Sequence, residues 1–117
     1  MPWTVTLRVG SEVRKERFAE IEPALDALRE HVDDVAAHAH RGAERALLRE
    51  YEPVQQVAAR GELRGPDRVL PRVRAGADVR GDGSVEAWTG WLRRRVVQPQ
   101  DGEAPIDALR RVVVRSA

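Results

Sequence analysis

Apolar and polar positions alternate most densely between residues 69 and 97. Val69, Val73, Ala75, Ala77 and Val79 alternate with Leu70, Arg72, Arg74, Gly76, Asp78 and Arg80, the period-two pattern of a strand with one buried face. A second run starts at Ser84 and continues through Ala87, Trp88 and Trp91 to Val97. Gly81-Asp82-Gly83 between them reads as a three-residue hairpin loop, with Gly83 in the left-handed position that follows a type I turn. That loop places Val79 opposite Val85, Ala77 opposite Ala87, Gly76 opposite Trp88 and Val73 opposite Trp91. A two-residue loop would set Val79 against Ser84 and mix the faces, so it is rejected.

The same reading extends along the chain. Trp3, Val5, Leu7 and Val9 alternate with Thr4, Thr6 and Arg8, which predicts a first strand. Gly10-Ser11 predicts a hairpin turn into a second strand over about 12–18, pairing Trp3 with Phe18 and Leu7 with Arg14. The polar middle of that strand, from Arg14 to Arg17, marks it as an edge. Ile21, Leu25, Leu28, Val32, Val35, Ala36 and Ala39 form one apolar stripe at helical spacing, and Pro23 and Gly42 bound a helix over about 22–41. Residues 43–52 read equally as a helix end or as an extended segment. Val57, Ala59, Gly61 and Leu63 share one parity and predict a third strand. Gly65-Pro66-Asp67 then reads as a tight turn, with Leu63 facing Val69, Ala59 facing Val73, Val57 facing Ala75 and Arg60 facing Arg72. Pro71 has no backbone N–H to give, which calls for a bulge or a late strand start. A last helix begins near Ala104, with Ile106, Leu109, Val112 and Val113 on its apolar face.

The predicted order is β-β-α-β-β-β-α. It implies a single α+β domain over residues 1–117, with a five-stranded, mainly antiparallel sheet. Two amphipathic helices cover only one face of such a sheet. From the long helix onward, over roughly residues 20–115, this order resembles the double-stranded RNA-binding domain. With the first strand included, it is also similar to ribosome hibernation factors. The RNA-binding family grips phosphates with a lysine cluster at the start of its last helix; this chain has Glu103, Pro105 and Asp107 there, which argues against that mode of binding.

Composition adds exclusions. The chain of 117 residues has no cysteine, which removes disulfides, thiolate metal sites and thiol nucleophiles. No export signal and no apolar run long enough to span a bilayer is visible, so the expectation is a soluble cytoplasmic protein with no membrane contact. Lys15 is the only lysine beside nineteen arginines, a bias that suggests a GC-rich bacterial genome. The net charge of +1 is unevenly spread: residues 12–52 hold seven Lys/Arg and eleven Asp/Glu, residues 54–97 nine Arg and five Asp/Glu. The first helix is thus acidic and the later strands basic.

Candidate chemistry is sparse. His31, Asp34 and His38 lie on adjacent turns of the long helix, and Asp34 with His38 offers two metal ligands but no third. Ser11, Ser84 and Ser116 occupy turns or the tail, outside any nucleophile motif. Asp78 faces Glu86, with Arg80 beside them as the simplest counter-ion. Arg80-Gly81-Asp82 reads as a turn. No cofactor and no catalytic activity are expected.

The uncovered sheet face is the stronger candidate. Parity places Trp88, Leu92, Arg60, Arg72, Arg74 and Arg94 on it. Tryptophan and arginine are favoured interface anchors, and burying an exposed side chain of that size contributes about 1.5–3 kcal/mol. The leading expectation is a binding or assembly protein that self-associates through this face or a strand edge. Its arginines would form a rim or meet the acidic helix of a second copy. The alternative is nucleic-acid binding, with phosphates on the arginines and bases stacked on Trp88.

Overall fold

The computed structural model describes residues 3–46, 57–65, 73–90 and 93–116, with side chains described for 3–39, 58–65, 73–90 and 93–115. The elements run β1 (Trp3–Val9), β2 (Glu12–Phe18), α1 (Ile21–Ala46), β3 (Val57–Gly65), β4 (Val73–Arg80), β5 (Val85–Thr89), β6 (Arg95–Val96) and α2 (Pro105–Ser116). The strands make one sheet in the order β2-β1-β3-β4-β5-β6, and every pairing is antiparallel among the described residues. The expected α+β class therefore holds, with one more strand than the sequence suggested. Among the described residues, no helix is long and apolar enough to cross a membrane.

The core lies between the sheet and the two helices. Odd-numbered residues of the sheet, among them Val5, Leu63, Ala75, Ala77, Val79 and Ala87, pack with Leu25, Leu28 and Val32 of α1 and Ile106, Leu109 and Val113 of α2. Helix α1 lies across β1, β3 and β4, and α2 lies on β4 and β5. Close approach of α1 is recorded at Gly61, where a Cβ would come within 2.6 Å of Leu28. Each fully buried leucine here contributes about 1.5–3 kcal/mol. Both helices thus sit on one face, as two amphipathic stripes require.

The two hairpins form in the expected registers. Trp3 pairs with Phe18 and Leu7 with Arg14; Val79 pairs with Val85 and Gly76 with Trp88. Gly83, at φ 89°, takes the left-handed position, and its N–H donates to the carbonyl of Arg80 at 2.9 Å.

Three details differ from the sequence reading. First, Leu63 stands opposite Ala75 rather than Val69, and Arg60 opposite Asp78 rather than Arg72. The connection after Gly65 is longer than a tight turn, and β4 starts late, at Val73, beyond Pro71. The slip from Val69 to Ala75 is an even number of residues, so the side chains from Ala59 to Gly65 keep their faces; a register shift between Val57 and Ala59 sets Val57 opposite Arg80 rather than Ala75. Second, the strand expected to run to Val97 stops at Thr89. Gly90 has φ 129°, and a Cβ there would lie 1.8 Å from the carbonyl oxygen of Arg93. Only glycine permits this reversal, which folds β6 back so that Trp88 pairs with Val96. Third, α1 starts at Ile21 and continues past Gly42 to Ala46. Pro23 still falls in the first turn, where its missing N–H has no intrahelical partner to lose. Residues 47–52 of the ambiguous stretch, and Trp91, lie outside the described residues.

Ion pairs tie α2 to α1. Arg29 donates to both oxygens of Asp107, at 2.5 and 2.9 Å, and Arg110 reaches Glu22 and, at 2.5 Å, Asp26. The hydrogen bond from Arg29 holds the Asp107 carboxyl below its ordinary range. Hydrogen bonds from Arg111 and from the Gln100 amide do the same for Glu103. A carboxylate with a depressed folded pKa adds stability above its unfolded pKa and loses it as pH falls through the folded value. Stability should therefore hold from neutral pH down to about 5 and decline below about 4, the unfolded range of these groups. Asp107→Asn should flatten part of that decline in chemical denaturation at each pH; an unchanged profile would rule out the contribution of this pair.

Candidate interaction surface on the helix-free sheet face

The face away from the helices is built around one carboxylate. Asp78, 5% exposed, sits towards the C-terminal end of β4, directly opposite Arg60 of β3 and Glu86 of β5. It accepts from Arg60 Nε at 2.7 Å and Nη2 at 3.3 Å, from Trp88 Nε1 at 3.1 Å and from Arg94 Nη1 at 3.3 Å. Burying a carboxylate is costly unless it is paired and hydrogen-bonded, and here three side chains supply both. Arg94 also lies over the indole of Trp88, 4.4 Å from its centroid, with Arg74 at 5.9 Å. Underneath is Gly76, where a Cβ would come within 2.6 Å of the ring. Arg74 in turn donates to Glu62 at 3.0 Å, and Arg80 to Glu86 at 3.3 Å.

These contacts limit what the expected residues offer to a partner. Trp88, Arg60, Arg74 and Arg94 do share the helix-free face. Trp88, however, is 2% exposed, so it is not the open anchor that its parity suggested. The strand reversal at Gly90 brings Arg94 onto its ring, and Asp78 takes its N–H. Arg60 and Arg94 share the Asp78 carboxylate and Arg74 holds that of Glu62, so each of these arginines is already engaged within the face. Leu92 and Arg72 lie outside the described residues.

The cations left over were not singled out by the sequence reading. In β2, residues alternate across the sheet. Glu12, Arg14 and Glu16 stand opposite Val9, Leu7 and Val5, on the helix side. Val13, Lys15 and Arg17 stand opposite Arg8, Thr6 and Thr4, on the helix-free side. Both glutamates of this strand thus point one way, and its lysine and Arg17 the other. Arg8, Lys15 and Arg17 are exposed and make no ion pair among the described residues. Val13 beside them is 48% exposed, and Val96 at the far edge 49%. The signal was present in the parity of residues 12–18, once the pairing with β1 fixed which parity faces out.

The other candidates are held in local contacts. His31, Asp34 and His38 all line a groove of about 290 Å³ between the β1–β2 hairpin and α1. His31 pairs with Glu16 at 2.8 Å, and His38 Nδ1 lies 3.3 Å from the carbonyl of Asp34. Among the described residues no three His, Asp or Glu side chains are grouped to hold a metal ion. Ser84 donates its N–H and hydroxyl to Asp82, at 2.9 and 2.6 Å, which lowers the Asp82 pKa and closes the Gly81-Asp82-Gly83 turn. Compared with protein families, curated proteins and solved structures, the chain matches none. Its likeness to the double-stranded RNA-binding domain is one of element order alone.

Two substitutions test the construction of this face. Gly76→Ala forces a methyl into Trp88 and the Gly61 carbonyl, and overpacking of this kind costs about 1–3 kcal/mol. Trp88→Glu replaces a buried ring with a carboxylate beside Asp78, and should unfold the domain rather than leave a folded monomer. Thermal denaturation followed by circular dichroism checks both; wild-type melting of either variant would contradict the packing described.

Proposed function

We propose that this is a non-enzymatic binding and assembly protein of the cytoplasm, which associates with itself through the helix-free sheet face. The observation that carries the reading is the strip of Arg8, Lys15 and Arg17. These are three exposed cations on rigid neighbouring strands, with no carboxylate of their own on β1 or β2 of that face. Strands hold such charges at fixed spacing, which favours a specific contact over diffuse solvation. Val13 adds apolar area in the middle of the strip. The Asp78 and Trp88 cluster serves as the stiff floor of the surface rather than as its anchor.

Light scattering from low to high micromolar concentration tests the proposal. The mass should rise with concentration. It should fall again with added salt, because the screening length shrinks from about 10 Å at 0.1 M to about 3 Å at 1 M. A monomer throughout would end the reading.

Nucleic acid is the second reading, favoured by the same unpaired cations. Phosphates would lie along Arg8, Lys15 and Arg17, since Arg60, Arg74 and Arg94 already have carboxylate partners and Trp88 has no free ring face for stacking. Binding should then weaken steeply with salt as counterions are released. No retention of RNA or DNA at low salt would remove it.

A further inference from the structure

The surface opposite the basic strip carries the complementary charge. The apolar stripe of α1 faces the sheet, so its other side points away from the molecule. There Glu30 is exposed, with Asp33 and Asp34 exposed on its two flanks, Asp34 beside the groove that Arg14 also lines. Glu22 and Asp26, nearer the start of the helix, are engaged by Arg110. Glu30 and Asp34 make no ion pair among the described residues, and Asp33 has only Arg29, at 3.8 Å. One end of the acidic ridge is thus used inside the fold, and the other end is left over.

The spacings match. Glu30 and Asp34 are one turn apart, about 6 Å along the helix axis. Lys15 and Arg17 are two residues apart on a strand, about 6.8 Å. The two surfaces lie on opposite sides of the molecule, so one copy cannot satisfy itself. A second copy can.

We propose that the Arg8–Lys15–Arg17 strip of one copy docks on the Glu30–Asp33–Asp34 ridge of α1 in the next. This rests on the self-association reading and names its counterpart. The contact joins two different patches, so it is heterologous: each copy presents both halves, and assembly runs on into a ring or an open stack. In a stack the sheet of each copy gains, from its neighbour, helical cover that the described residues of its own chain do not provide on that side.

Two neutralised variants test this. In the first, Arg8→Gln, Lys15→Gln and Arg17→Gln remove the strip; in the second, Glu30→Gln, Asp33→Asn and Asp34→Asn remove the ridge. All six positions are exposed, and circular dichroism confirms that each variant folds. Each variant alone should stay monomeric where wild type assembles. Mixed, they should form a one-to-one heterodimer that grows no further, because one retains only the ridge and the other only the strip. If the ridge variant assembles like wild type, the contact is strip-to-strip or elsewhere; this inference is then overturned while self-association stands. If wild type is itself monomeric, the self-association reading fails and takes this inference with it. A wild-type mass increase abolished by nuclease assigns the strip to nucleic acid, and also overturns the inference. Should a triple variant fail to fold, the single changes Lys15→Gln and Glu30→Gln carry the same test, through a reduced mass in each variant alone and a partial recovery on mixing.

Discussion

Asp78 is the group on which the helix-free face depends. Its carboxylate is nearly out of water and is held by Arg60, Trp88 and Arg94. These come from β3, from β5 and from the segment just beyond the Gly90 reversal. One buried charge therefore joins three separate parts of the chain. Such a cluster need not be more stable than an apolar one of the same volume. Removing Asp78 is another matter, because it takes the counter-ion from Arg60 and Arg94 and leaves the Trp88 N–H buried without its acceptor, and one unsatisfied buried donor costs about 1–3 kcal/mol. The cluster thus acts mainly as a specificity device. It rewards the β3–β4 register that sets Arg60 opposite Asp78, and penalises the alternatives.

That point explains what was legible in the sequence. Period-two alternation identified the strands, and the short loops at Gly10-Ser11 and Gly81-Asp82-Gly83 fixed their registers, since loop length determines pairing when the turn is tight. The β3–β4 pairing was not fixed in this way. Gly65-Pro66-Asp67 resembles a tight turn, and local pattern alone cannot distinguish registers that differ by an even number of residues. The choice is made by tertiary chemistry, through Arg60 with Asp78 and Arg74 with Glu62. Parity survives such a slip, which is why the faces were read correctly although the partners were not.

Depth was the harder property. Alternation shows which side of a sheet Trp88 occupies but not what lies on it. The reversal at Gly90 depends on a backbone conformation open only to glycine, and nothing in the apolar pattern of residues 84–97 signals it. Once Arg94 lies on the indole, the expected open anchor becomes internal structure, Arg60 and Arg94 become counter-ions of Asp78, and Arg74 pairs with Glu62. One of the three cations in the strip, Arg8, sits on β1; the other two, Lys15 and Arg17, sit beside it on β2, a strand too polar to attract notice as a core element. Sorting of its charges between the two sides became readable only through its pairing with β1. The outcome is a molecule with a basic sheet side and an acidic helix side, which net charge conceals entirely: the total is +1.

The indole proton of Trp88 reports most directly on whether the Asp78–Trp88–Arg94 cluster is closed. Hydrogen exchange at Trp88 Nε1, followed by NMR and assigned with Trp88→Phe, should be protected nearly to the level of global unfolding. That protection should collapse in Asp78→Asn under conditions where the domain remains folded. Exchange of the wild-type Trp88 proton at the rate of a free indole would contradict the account, because the ring would then be open to solvent and the arginines around it free for other partners.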